Sequence, residues 1–262
     1  MKKHVIVAAL MLLFFNLNAQ TYETMYNYIG IKGGLSIPNL TAGGSGENEL
    51  SSGYHSKTGL NFAIFYEKAI SGRFSLSTQL EYAAQGGKKD GYQAFPTPAQ
   101  LAPYFIIQNR TVPDVVYANF NSEIKINYLT LSELAKFNFP FSNLPVSFYA
   151  EAGPFVGFLL SAHQVVNGNS DVYADKDMME NITGNVGVGP QSLDSTQNLK
   201  DLLHKSNFGI EGDIGFAFNL ANSKIFIEGG GNYGFLTIQK GTENGKNHIG
   251  AGTIRIGYAY AF

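Results

Sequence analysis

The chain lacks cysteine and tryptophan altogether, and only 15% of its residues carry a charge. Without cysteine there is no disulfide framework, no thiolate metal site, no cysteine nucleophile and no lipid-modified cysteine anchor. The charge content is well below the quarter usual in soluble domains. Excess of one sign is missing too: the formal net charge is −2, so no basic field points to nucleic acid. Long apolar runs are also missing. The only one, Val5 to Phe15, falls short of the ~20 residues that a membrane-spanning helix needs. What the chain does have is 30 glycines and an aromatic content of 13%, all of it Phe and Tyr. Such a chain is neither a helical membrane protein nor a disordered one, and any residence in a membrane must come from strands.

The N-terminus reads as a secretory signal peptide over 1–19. Lys2 and Lys3 form its positive region, Val5 to Phe15 its apolar region, and Leu17-Asn18-Ala19 a cleavage site that ends on a small residue. The mature domain is then 20–262.

From residue 25 onward the dominant signal is alternation with period 2, which sends successive side chains to opposite faces of a strand. The pattern gives eight strands, at about 28–37, 57–68, 73–85, 123–139, 146–160, 208–218, 224–236 and 249–262. On the third, Phe74, Leu76, Thr78, Leu80 and Tyr82 oppose Ser75, Ser77, Gln79, Glu81 and Ala83. On the last, Ile254, Ile256, Tyr258, Tyr260 and Phe262 oppose Arg255, Gly257, Ala259 and Ala261. The fourth begins with Ile124, Ile126 and Tyr128 outward, loses phase at Leu129-Thr130-Leu131, and resumes with Ala135, Phe137 and Phe139 outward. A β-bulge within 129–134 accounts for the slip. In the fifth, Pro154 marks a bulge or a locally open ladder. Connections alternate between short turns and longer loops at about 39–56, 86–122, 161–207 and 237–248. The expected fold is therefore all-β: an eight-stranded antiparallel up-and-down transmembrane β-barrel with short periplasmic turns and long extracellular loops. A soluble barrel would reverse the sidedness, but the small, charged, glycine-rich face is too lean to build an apolar core.

Four segments carry a family resemblance: Ile29-Gly30-Ile31-Lys32-Gly33-Gly34-Leu35-Ser36, Tyr149 to Gly157, Phe208 to Gly215, and the terminal Tyr258-Ala259-Tyr260-Ala261-Phe262. In this order the chain resembles the PorT-like outer-membrane β-barrel family of Bacteroidetes. The resemblance implies an eight-stranded barrel in the outer membrane of a Gram-negative bacterium, and some relatives are linked to protein secretion. The C-terminal pattern, with Gly257, Tyr260 and Phe262, also resembles the signal by which such barrels are recognised for insertion. It implies outer-membrane lipid and the barrel-assembly machinery as partners.

The inward positions collect charge. Lys32, Glu67, Glu81, Glu151, Glu211, Asp213, Glu228 and Arg255, together with Lys136, form an expected polar network that fills the lumen. Arg255 is its hub, serving two carboxylates. A barrel of this size has an interior just wide enough for side chains to fill, so a plug is favoured over a channel. In the loops, Tyr92, Phe95 to Pro98, Leu101 to Ile107 and Val115 to Tyr117 are strongly apolar for exposed connections. Thr196 to His204 reads as a short helix with Leu199, Leu202 and Leu203 on one face. The rim residues His55, His163, His204, His248, Asp171, Asp194, Asp201, Ser192 and Ser195 lie in no motif that fixes a catalytic geometry. Asp171, Asp175, Asp177 and Glu180 lack the spacing of a calcium loop. The functional expectation is a non-enzymatic barrel, without metal or cofactor, whose outer loops bind an envelope protein or a ligand. The alternative is a passive structural barrel or a small-solute leak.

Overall fold

The computed structural model describes residues 26–40, 49–241 and 246–262, so the signal-peptide reading lies outside the described residues. Eight strands follow one another around a closed ring: β1 (Tyr28–Pro38), β2 (Gly59–Ala69), β3 (Phe74–Pro96), β4 (Val115–Pro140), β5 (Val146–Asn167), β6 (Ser206–Asn219), β7 (Ser223–Gly234) and β8 (Gly250–Ala261). Every neighbouring pair is antiparallel, and β1 closes the ring against β8 from Tyr28↔Ala261 to Pro38↔Ala251. Closure leaves no strand edge unpaired in the barrel, which is what a sheet surrounded by hydrocarbon requires.

Sidedness follows the alternation. Leu60 is 69% exposed and Ile256 63%, while Arg255, one residue from Ile256, is 1% exposed. The apolar face therefore points out and the ionic face in. Outward Phe137, Phe139, Phe148 and Phe216 run in ring-to-ring contact at 4.9, 5.8 and 5.4 Å around the end that carries the short turns. That chain of rings is an aromatic girdle at one interface. Inside, glycine on one strand makes room for an aromatic ring on the next. A Cβ at Gly257 would stand 2.2 Å from the Phe226 ring, and one at Gly215 would stand 2.6 Å from Tyr149.

Three strands are far longer than the bilayer needs. β3, β4 and β5 have 23, 26 and 22 residues, against the ~9–11 of a tilted crossing. The expected loop 86–122 is mostly ladder: pairing of β3 with β4 runs unbroken from Phe74↔Phe137 to Pro96↔Val115. The barrel wall thus rises well above the membrane on one side.

Three sequence expectations need correcting, and one of two alternatives at Pro154 is met. β4 never loses phase: Ile126 and Tyr128 are 1% and 0% exposed and point into the lumen, with Ile124 half-buried beside them. Apolar character fails as a guide to sidedness there because the outer lumen is itself apolar. The bulge sits on β5, not β4. Asn127 pairs with Ser161 and Tyr128 with Leu159, leaving Leu160 as the extra residue. At Pro154 the ladder is locally open, as expected, and not bulged: pairing with β4 is interrupted opposite Glu133 and Leu134 without any shift of register, because proline has no N–H to donate. Finally, the expected helix at Thr196 to His204 is not one. Ser195–Asn198 is a strand that pairs with His163 to Val166 on the raised edge of β5. Leu199 and Leu203 then pack into the lumen mouth, while Leu202 stays exposed.

Candidate functional site at the outer mouth of the barrel

From the turn end upward, the lumen is filled first by charge, interleaved with a buried cluster of Phe65, Tyr149 and Phe226. Glu67 receives Lys136 at 3.1 Å, Lys224 at 2.8 Å and the Ser75 hydroxyl at 3.1 Å. Lys32 lies 2.7 Å from Glu228 and 3.5 Å from Glu151. Lys136 lies 3.6 Å from Glu151 and 3.8 Å from the centre of the Tyr149 ring, whose hydroxyl donates to Glu228 at 2.7 Å. Arg255 touches four carboxylates rather than two: Glu81, Glu211 at 3.3 Å, Asp213 at 2.6 Å and Glu228 at 2.7 Å. Its planar fork suits this role, since several carboxylates can share one guanidinium. All the inward charged residues named from the sequence meet in this one cluster. Lys224 was missed there. Its position two alternations before Glu228 is the signal that places it inside, and its closeness to the turn hid that. Oxygens of Glu151, Asp213 and Glu228 come within 4.8 Å of one another, the spacing of a metal cage. Lys32 and Arg255 already fill the space between them, so fixed cations supply the countercharge.

Above the charges the lumen turns apolar. Leu40, Ile126, Tyr128, Leu159, Ala162, Leu203, Ile238 and Ile249 pack into one buried cluster, sealed further by Ile124 and Leu199. Loop residues Leu40, Leu203 and Ile238 come down onto the inward faces of β4 and β5. Loops and strands together thus close the barrel.

Over this plug lies a cavity of about 640 Å³. Leu203 and Ile238 form its floor, and Phe95, Phe120 and Leu193 stand among its walls. Gln93, Gln164, Gln197, Gln239, Asn247 and the Tyr54 hydroxyl supply its polar atoms. Asp201 and Lys240 are its only charged residues among the described residues, and Lys240 Nζ donates to the Asp201 carbonyl at 2.7 Å. Size and lining match a small-molecule site: mostly apolar, with a few convergent polar groups.

Beside the cavity, the raised β3–β4 hairpin carries α1 (Ala102–Ile107), which packs on the loop after β5. Phe105, Val116, Val172 and Ile182 form the core of this cap. Its polar links run both within the loop after β5 and across to the β3–β4 hairpin. The Asp175 carboxylate accepts the N–H groups of Met179, Glu180 and Asp177 at 3.0, 2.8 and 3.0 Å, and these amides hold its pKa below the usual value. Glu180 is likewise held low by Arg110, which bonds it directly, and it also receives the Tyr104 hydroxyl at 3.0 Å. Partial burial and a bond to Glu49 push Tyr117 up to about 12. The acidic run is thus engaged within the cap: Asp175 with backbone, Asp171 with Thr183 at 2.7 Å, and Glu180 with Arg110 of the β3–β4 hairpin.

The histidines, aspartates and serines of the rim do not assemble. His248 stacks on Tyr233 with ring centroids 5.6 Å apart, and its Nδ1 lies 3.1 Å from the Gly234 carbonyl. Asp194 accepts the Gly168 N–H at 3.0 Å. Among the described residues no hydrogen bond joins a histidine to a serine or a carboxylate.

A closed ring with its charges inside and lipid-compatible side chains outside has one home. The model of the outer membrane protein beta-barrel domain matches residues 18–239. The chain belongs to that family. An outer-membrane barrel of this kind resides in the outer membrane of Gram-negative bacteria. Solved outer-membrane barrels are similar at low identity. Neisserial surface protein A is 11% identical, with 90% of this chain and 97% of that one covered and a TM-score of 0.44. A major outer membrane protein from Thermus thermophilus is 14% identical, with 92% and 100% covered and a TM-score of 0.42. Ail, the attachment invasion locus protein of Yersinia pestis, is 14% identical, with 92% and 100% covered and a TM-score of 0.38. No curated protein matches the sequence.

Proposed function

We propose that this outer-membrane barrel is a non-enzymatic recognition protein with a closed lumen, whose outer loops bind a ligand or an envelope partner above the membrane. The observation that carries the reading is the cavity of about 640 Å³ that sits on an apolar plug and is walled by loops and raised strands. A solute crossing the barrel has to displace the plug and then part the ion pairs around Arg255, so transport is disfavoured against binding at the mouth. The near-neutral, amide-bearing lining favours an uncharged amphiphile or an apolar side chain of a partner over an ion.

The route to the membrane in this reading is export through a signal peptide over 1–19. Insertion by the barrel-assembly machinery follows through β8, with Gly257, Tyr260 and Phe262 as the recognised residues. The PorT-like resemblance adds an expectation of a Bacteroidetes source and of a secretion-associated partner. The test is photo-crosslinking in intact cells from probe side chains placed at Leu193 and Gln197 in the cavity wall. A defined adduct that disappears when Ile238→Glu fouls the cavity floor is the expected result. Probes at both positions that capture nothing would instead leave a passive structural barrel.

A further inference from the structure

The outward face of the barrel carries one charged residue in the middle of its apolar belt, among the described residues. On β4 the outward sequence is Leu129, Leu131, Glu133, Ala135, Phe137 and Phe139. Glu133 stands six residues from Phe139, ~15 Å along the membrane normal for a strand tilted ~40°. The apolar band is ~25 Å tall, so the carboxyl lies within hydrocarbon. The side chain is exposed. One of its oxygens accepts the hydroxyl of Thr78, itself outward on β3, at 2.6 Å. The other receives no bond from the described residues.

Its surroundings differ from the opposite wall. Next to it lie Ala135 and Ala152, paired with each other, then Ala150, Pro154 and Gly212, all outward. On the opposite flank, mid-barrel outward positions hold Ile31, Ile64, Ile227 and Ile256. The surface around Glu133 is therefore a shallow recess floored by small side chains. It lies on the seam where Pro154 interrupts the β4–β5 ladder opposite Glu133 itself. A carboxyl group facing acyl chains is costly, and such residues mark functional contacts. Acyl chains hold no donor, and lipid headgroups lie at the edges of the band, out of reach. A second copy of this chain brings no cation to this depth either. Its outward lysines on the barrel strands, Lys68, Lys88 and Lys125, sit at the turn end of β2, on the raised part of β3 and above Leu129.

We infer that the β3–β5 flank around Glu133 is a docking face for the membrane-embedded segment of a different envelope protein, which presents a cationic side chain to this carboxyl. The recess admits the close approach of a second backbone, as small residues do at packed interfaces in lipid. Thr78 holds the carboxylate in position for it.

The test uses the full-length protein in its native outer membrane, with a photo-crosslinking side chain at Ala152 and a control at Ile31 on the opposite flank. The expected result is a discrete protein adduct from Ala152 and none from Ile31. The crosslinked peptide should lie in a membrane-spanning segment and contain Lys or Arg. The adduct should fall at least tenfold in Glu133→Leu and several-fold in Glu133→Gln, while heat-modifiable gel mobility shows both variants folded. Glu133→Lys should abolish it, and an acidic substitution at the partner's donor should restore it. Adducts to lipid alone, adducts to a second copy, or a protein adduct of equal yield in Glu133→Leu would each overturn the proposal.

Discussion

The lumen of this barrel is closed twice, by opposite chemistry in its two halves. In the inner half, six carboxylates (Glu67, Glu81, Glu151, Glu211, Asp213, Glu228) surround four cations (Lys32, Lys136, Lys224, Arg255). In the outer half, Ile126, Tyr128, Leu159 and Ile249 meet Leu40, Leu203 and Ile238 from the loops. The charged half depends on every ion keeping its partner, because removing one member strands the others in a low-dielectric space. The apolar half depends on volume and tolerates change in proportion to the space it opens. Fixed strands build the first, whereas the second needs loops that have folded back. The inner half therefore locks the barrel, and the outer half forms the floor on which recognition takes place.

Breaking the lock should have the largest effect. Arg255→Leu leaves Glu81, Glu211, Asp213 and Glu228 without their shared cation. It should cost at least ~3–5 kcal/mol, read as urea unfolding in lipid vesicles by intrinsic tyrosine fluorescence. In the outer half, Ile126→Ala should cost about 2–4 kcal/mol in the same assay, since it empties part of a well-packed cluster. It should also weaken capture by probes in the cavity above, which Arg255→Leu in a still-folded fraction should not do. Gly257→Val tests the packing between the halves and the wall. The added side chain meets the Phe226 ring, with an expected cost of about 1–3 kcal/mol and slower insertion into vesicles.

The smallest effect belongs to the cap and to pH. Asp175 and Glu180 have folded pKa values below their unfolded ones. Their contribution to loop order is thus complete above the ordinary carboxylate range and disappears as pH falls through the lower folded values. Protection of the amides over residues 171–185, taken relative to their intrinsic exchange rates at each pH, should fall on acidification from pH 6 to about pH 3. Protection in β6 to β8 should not change over that interval. Both groups remain partly open to solvent, so the change should be modest.

How far these halves were legible in the sequence follows from the same physics. The inner half was readable because lipid outside and charge inside give each residue of β1, β2, β3, β6 and β8 an opposite character from its neighbour. Lys32, Glu81 and Arg255 stand out at once against Ile31, Leu80 and Ile256. The outer half was not readable that way. Where Ile126 and Tyr128 turn inward, Lys125 and Asn127 face outward, so the period-2 contrast is kept but reversed even though the backbone never changes phase. The bulge at Leu160 was displaced to β4 for the same reason. Thr196 to His204 shows a helical spacing of leucines, yet the unpaired edge of the raised β5 claims Ser195–Asn198 as a strand. Long-range pairing of this kind leaves no local signature. The four-carboxylate grasp of Arg255 and the cavity above the plug depend on which side chains the closed ring brings across the lumen, and periodicity alone does not carry that.

The central claim is that the lumen is sealed and that recognition happens at its mouth. It is tested most directly by the conductance of the refolded mature protein in a planar lipid bilayer. The account predicts no stable conductance steps for the native chain or for Ile126→Ala, because the ion pairs around Arg255 remain closed beneath a damaged plug. A steady ohmic step in the native protein, persisting at neutral pH and independent of the loops, would contradict it.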